Sequence, residues 1–316
     1  MKSLVSVVVP VRNREDQITR CLDSVAAQTY RPLELIVVDN DSDDDTFDTA
    51  NNWKDSIKDP ELDVKVVSET VRGACAARQK GLDNVSGEYV IFFDSDDVMR
   101  PALIETATSV VSKSPEADVV CWPCSIRQLD GSIKIPPFMP ENPVEGHLIH
   151  TLFRPQGTLL KTNYIKSIGG WGKPISVWND FELGLRIILG RGKITGINKV
   201  LADIYAQPDS ITGKNFSSKQ GLWEKTIEEM RHENSISDYP LKKEIDDILT
   251  YREIILASHY AHERNFQGAG ELSEKAMKRA KNKLQKLLLQ FTYLYTRLGG
   301  RGAWRLIRKL FLSSSH

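Results

Sequence analysis

The sequence predicts an α/β fold, a mostly parallel central sheet flanked by helices, followed by a C-terminal helical extension. Three observations carry this. Short β-branched runs alternate with stretches whose apolar residues recur at helical spacing, the pattern of βαβ units. Polar segments, two of them acid-rich, follow the ends of three of those runs. From about residue 218 the strand pattern stops and helical spacing continues. Two regions are therefore expected, 1–215 and 216–316.

Residues 5–9 are continuous and valine-rich, as a strand buried on both faces requires. Residues 10–15 (PVRNRE) read as a loop, and Ile18, Cys21, Leu22 and Val25 then fall on one helical face. A second strand at 33–38 ends in Asp39-Asn40-Asp41-Ser42-Asp43-Asp44-Asp45. A short strand at 64–67, an Ala-rich helix at 73–82 and a turn at Gly87 lead to Val90-Ile91-Phe92-Phe93. That apolar run stops at Asp94-Ser95-Asp96-Asp97. Further strands are expected near 117–120 and across 194–204. Asp130-Gly131 reads as a hairpin turn, residues 136–143 as a proline-rich loop over the active-site side, and residues 179–189 as a helix that Asn179 or Asp180 caps.

Composition narrows the class. A hydrophobic fraction of 41% and a charged fraction of 27% over 316 residues are those of a globular protein with a sizeable core. Four irregularly spaced cysteines make no disulfide framework and fit a reducing, cytoplasmic setting. Cys121-Trp122-Pro123-Cys124 is one C-x-x-C pair without a second, so buried strand cysteines explain it better than zinc. The first residues read as a strand and not as a signal peptide, and no run of about 18 apolar residues offers a membrane span.

The run at 94–97 carries the chemistry. Crowded carboxylates raise one another's pKa unless a positive group sits among them. At the end of a buried strand, a hard divalent cation with a phosphate beyond it supplies that charge; the plainer alternative is a solvated turn capping the next helix. Ligands of open α/β sheets bind outside the carboxyl ends of strands, where residues 10–14, 39–42 and 94–97 all fall. No G-x-G-x-x-G follows the first strand, which excludes the dinucleotide fingerprint and leaves a bound nucleotide's phosphates to a cation.

The ordered set VSVVVPVRNR (5–14), ELIVVDNDSDD (34–44), RGACAARQKGL (72–82) and DSDD (94–97) resembles glycosyltransferase family 2, of GT-A fold. The likeness runs from about residue 4 to 212. It implies a nucleoside diphosphate sugar donor, UDP-linked in many members, and a saccharide or lipid-linked acceptor. By the resemblance, Asp39 bonds the base beside Pro10 and Val11, with Asn13 and Ser95 on the donor side. Asp94 lies towards the ribose, Asp96 coordinates Mg²⁺ or Mn²⁺, and Arg78 holds the acidic loops. Asp180 is the base for an inverting displacement, with Glu182 as the second choice. Trp171 and Trp178, read from their chemistry alone, suit either stacking on an acceptor sugar or core packing. The chain departs from the family at Tyr205 and Gln207, where many members carry Arg and His; Lys214 or Lys219 are candidates to complete the site. A polyprenyl-phosphate sugar synthase and a non-catalytic nucleotide-sugar-binding homologue remain alternatives.

The formal net charge of zero conceals a split. Residues 1–274 hold all 42 acidic residues against 31 basic ones, whereas residues 275–316 carry 11 basic residues and no acid. A helix is expected over 271–298, a break at the glycines 299–302, and an amphipathic helix over 304–312 with Trp304 and Phe311 beside Arg and Lys. That composition suits a peripheral site on the inner, anionic face of a membrane. Packing on the catalytic domain or a dimer contact are its alternatives. No nucleic-acid-binding module is recognisable.

Overall fold

The computed structural model describes residues 2–207 and 215–313. They fall into two compact units, Met1–Pro208 and Asp209–His316. In the first, β1 (Val5–Val11), α1 (Ile18–Ala26), β2 (Leu33–Asp39), α2 (Thr46–Ser56), β3 (Leu62–Ser68), α3 (Ala74–Asp83) and β4 (Tyr89–Phe92) follow the expected alternation. The β1 valines are all buried, and burying each contributes about 1.5–3 kcal/mol. The strand runs two residues further than expected, because Pro10 sits where a missing N–H is tolerated and Val11 still pairs with Asp39.

The chain continues through β5 (Val98–Met99), α4 (Leu103–Lys113), β6 (Val119–Cys121), β7 (Cys124–Arg127), β8 (Ile133–Lys134), α5 (Pro143–Leu148), β9 (Thr158–Lys161), α6 (Thr162–Ser167), α7 (Asn179–Leu189), β10 (Ile194–Gly196) and β11 (Ala202–Tyr205). The main sheet has the order β10-β6-β9-β4-β1-β2-β3. Its pairs are parallel except those of β9, which runs antiparallel between β4 and β6. The strand order reverses at β1 and β4, and the carboxyl ends of those strands form the crevice of an open α/β sheet.

Two expectations change here. Residues 194–204 are not one strand: β10 joins the main sheet, while β11 pairs with β5 and β7 in a separate four-stranded sheet, β5-β11-β7-β8. Cys121 and Cys124 are buried and free, one ending β6 and the other opening β7, with burial pushing the Cys124 thiol up to about 12.

Helix α3 lies close against β1, and Gly81 makes that possible. A Cβ there would fall 2.2 Å from Val8 Cγ1. Gly81→Ala is therefore expected to cost about 1–3 kcal/mol, because overpacking outweighs the gain in helix propensity. Urea denaturation checks this; a variant as stable as the parent would show that helix and strand separate freely.

The second unit contains α8 (Leu222–Ile236), α9 (Lys242–His262), α10 (Phe266–Lys278), α11 (Lys283–Arg297) and α12 (Ala303–Ser313). The helix expected over 271–298 is two helices. The first ends at Lys278, and Asn282 caps the second, its side chain accepting the Gln285 N–H at 2.8 Å. The aromatic face of α12 is turned inward. Trp304 and Phe311 are buried, with the Trp304 and Tyr251 ring centroids 4.9 Å apart, so these aromatics are not the membrane-facing side proposed from composition.

Candidate active site

β1 and β2 end level, Val11 opposite Asp39, and the Asn40 N–H closes on the Val11 carbonyl at 2.8 Å. The loops beyond interlock. Asn13, at φ 52°, donates its N–H to Ser42 Oγ and accepts the Asp43 N–H at 2.8 Å, while Arg12 pairs with Asp43. Asn40 ties in the third loop, donating to the Glu69 and Val71 carbonyls and accepting the Gly73 N–H at 2.7 Å. Arg72 then pairs with Asp41 and Asp43.

Asp39 is 6% exposed inside this frame. Its Oδ2 accepts the Ser42 N–H at 3.3 Å, but its Oδ1 is buried without a partner. A buried unpaired acceptor costs about 1–3 kcal/mol, and a ligand N–H removes that cost. Pro10 and Val11 lie beside it on β1.

At the end of β4 the carboxylates have different surroundings. Asp94 is gripped on both oxygens, by Arg78 Nη2 at 2.7 Å and by Gln156 Nε2 at 2.7 Å. Asp97 is 2% exposed, accepts from the same Gln156 Nε2 at 2.6 Å and from the Tyr205 N–H at 2.9 Å, and has its pKa pushed well up by burial, then by Asp94 and Asp96. Ser95 is buried between them in sequence. Asp96 remains open: its carboxylate takes no hydrogen bond from another residue among the described ones. Burial first, and then Asp94, raise its pKa, against the pull of Arg14 and Arg20. Arg20 also donates to the Asp96 carbonyl and stacks on the Tyr205 ring at 4.3 Å.

Among the described residues no three His, Cys, Asp or Glu side chains converge on a metal position. A magnesium-like ion takes one or two protein carboxylates and fills its shell with phosphates and water. The uncommitted Asp96 carboxylate fits that part. Of the basic candidates to complete the site, Lys214 lies outside the described residues and Lys219 belongs to the second unit.

Arg78 connects this acidic edge to α7. It is 6% exposed, gives Nη1 to Asn179 Oδ1 at 3.1 Å and lies 4.7 Å over the Trp171 ring. Neither Asn179 nor Asp180 is the helix cap. Trp178 holds the cap position in the left-handed region, φ 53°, and its indole has no acceptor with which to cap, while the Asn179 amide is turned to Arg78. Asp180 thus sits in the first turn, deep among its neighbours yet partly open to solvent. Burial pushes its pKa up, Arg78 and Arg154 pull it down, and Asp94 adds to the rise.

The start of α7 is fixed from behind by His147. Its ring stacks on Phe181 at 5.2 Å, its Nδ1 accepts the Phe153 N–H, and its Nε2 donates to the Phe181 carbonyl at 2.8 Å. Gly184 makes room, since a Cβ there would fall 2.1 Å from the imidazole. Glu182 is 2% exposed and held by Arg186, at 2.7 and 2.8 Å, and by Lys173. Trp171 is 3% exposed, edge-on to Phe92. Trp178 keeps some exposure and packs on Phe181 at 5.7 Å.

The structure brings Asp39, Arg78, Asp94, Asp96 and Asp180 to one end of the sheet. Sequence reasoning did not find Gln156, Arg154, Arg20 or His147. A neutral amide such as Gln156 has no charge pattern to flag it, and only its proximity to β9 marks the loop.

The glycosyl transferase family 2 model matches residues 6–166, half of the chain. The chain belongs to glycosyl transferase family 2. Among named relatives, glycosyltransferase GlyG of Streptococcus pneumoniae is 34% identical over 121 residues, 38% of this chain and 38% of GlyG. The UDP-Glc:alpha-D-GlcNAc-diphosphoundecaprenol beta-1,3-glucosyltransferase WfaP of Escherichia coli is 36% identical over 94 residues, 30% of this chain and 36% of WfaP. The chain thus spans little more than a third of the length of these two relatives. TarS 1–349 of S. aureus, solved with UDP-GlcNAc, superposes with a TM-score of 0.66 over 94% of this chain and 92% of that one, at 18% identity. That likeness fixes the fold of this family 2 member as GT-A.

Proposed function

We propose that this protein transfers a sugar from a nucleoside diphosphate sugar, UDP-linked, to a hydroxyl of a saccharide or lipid-linked acceptor, with inversion at the transferred carbon. One observation carries the reading. Arg78 joins Asp94, just past the end of β4, to the first turn of the helix bearing Asp180. The donor edge and a carboxylate able to act as base are thereby held in one frame. The donor assignment draws support from the TarS structures, solved with UDP and with UDP-GlcNAc, and the acceptor class from the WfaP name.

Asp39 Oδ1 receives an N–H of the base, with Pro10, Val11 and Asn13 bounding that pocket and Ser95 and Asp94 on the ribose side. Asp96 would hold Mg²⁺ or Mn²⁺, which when bound would supply positive charge to the leaving diphosphate. Asp180, ionised, takes the acceptor proton as its oxygen attacks from the face opposite the diphosphate. Arg78 keeps Asp94 in place, and Trp178 borders the acceptor side.

The test is nucleotide release from a panel of UDP-, GDP- and dTDP-sugars with Mg²⁺, with Mn²⁺ and with EDTA. Metal-dependent release from one donor, lost in Asp96→Ala, is the expected result. A flat panel, with the parent equal to Asp96→Ala, would overturn the enzyme reading and favour a nucleotide-sugar-binding homologue.

A further inference from the structure

Helix α11 has two unlike faces. Gln285, Leu289 and Thr292 are buried within the second unit. Roughly opposite them, at 100° per residue, lie Leu284, Leu287, Phe291, Leu294 and Leu298, from 45% to 86% exposed. Their spacing of 3, 4, 3 and 4 makes one continuous apolar stripe, about 21 Å long at 1.5 Å per residue. On α12 the buried side is Ala303, Trp304, Ile307 and Phe311, while Leu306 and Leu310 are 59% and 49% exposed.

The charge around the stripe is of one sign. No acidic residue follows Glu274. The first cations of the tail are already committed within the unit: Lys275 and Arg279 pair with Glu228, Arg279 also with Glu253, and Lys281 with Asp247. Beyond them, Lys283, Lys286, Arg305 and Lys309 are exposed and form no ion pair among the described residues. Lys283 and Lys286 lie along one flank of the stripe.

We propose that the apolar stripe of α11, with its flanking lysines and the exposed cations of α12, docks the protein flat on an anionic lipid surface. An apolar strip bordered by uncompensated cations matches an acyl layer beneath anionic headgroups. A second copy of this chain fits less well, since it would bring a like-charged tail against this one. A nucleic acid would satisfy the cations and leave the leucines in water. The proposal does not rest on the donor-site reading, and it moves the membrane-facing residues from Trp304 and Phe311 to α11.

The test is co-sedimentation of the full chain with phosphatidylcholine vesicles containing phosphatidylglycerol, and with pure phosphatidylcholine vesicles. Binding is expected only to the anionic vesicles, weakening with salt. It should fall about fivefold for each of Lys283→Gln and Lys286→Gln, and at least tenfold for the double variant Leu287→Ser/Phe291→Ser. These positions are exposed, so the far-UV circular dichroism and melting temperature should not change. Equal binding to neutral vesicles, or anionic binding unaffected by the leucine and phenylalanine changes, would overturn it. So would a dimer in sedimentation equilibrium that Leu287→Ser/Phe291→Ser converts to monomer, which would make the stripe a contact between copies.

Discussion

Asp180→Asn is expected to lower kcat by about 10²- to 10⁴-fold while nucleotide-sugar affinity stays nearly unchanged. The amide keeps the size of the carboxylate and its place in the first turn of α7, so the Arg78 bridge to Asn179 and Asp94 survives. Only the ability to accept a proton is removed. Transfer rate and donor binding, measured on the same preparation, separate this from a folding defect. Retention of full transfer activity would instead favour an acceptor that is already an anion, such as a polyprenyl phosphate.

The same residue sets a pH dependence. Burial raises the Asp180 pKa, with Arg78 and Arg154 opposing and Asp94 adding to the rise. In the proposed mechanism the base works only when ionised, so activity is expected above the raised pKa and should be lost as pH falls through it. The acid limb of the kcat profile should therefore lie above the ordinary carboxylate range, and the residual rate of Asp180→Asn should lack that limb.

The parallel half of the sheet was legible because each strand has a local signature. Valines on both faces of β1 and a hydrophobic run into acids at β2 and β4 need no partner to be recognised. What decides the rest is non-local. β9, Thr158–Lys161, has nothing in its four residues that says antiparallel, and its direction is set by β4 and β6 on either side. Residues 194–204 look like one strand, but β10 and β11 pair into different sheets, a choice made by partners far along the chain. The same limit holds in the site. Acids at strand ends announce themselves, whereas Gln156, which bridges Asp94 and Asp97, becomes visible only when the loops meet. Composition also overstated the outward reach of α12: its Trp and Phe have the chemistry of a membrane helix, but Tyr251 offers them a dry surface first.

Arg78→Met should be the most destabilising single change at the site, at about 2–3 kcal/mol. Removing one partner of a fully buried ion pair costs about 3–5 kcal/mol, chiefly because the other charge is left uncompensated. The Asp94 side chain is 33% exposed, so water screens part of that penalty. Methionine keeps most of the arginine's bulk against Trp171, which confines the loss to charge and hydrogen bonds. The double variant Arg78→Met/Asp94→Asn should recover a good part of the stability, since the stranded carboxylate is then gone, and urea denaturation of all four proteins closes the cycle. Activity should not return with it: the tie from the end of β4 to the first turn of α7 is cut in both variants, and Asp180 loses one of the two arginines that lower its pKa. If stability and transfer recovered together, Arg78 would be a structural counter-ion and the alignment of the two edges would have to come from elsewhere, with Gln156 and His147 the next residues to change.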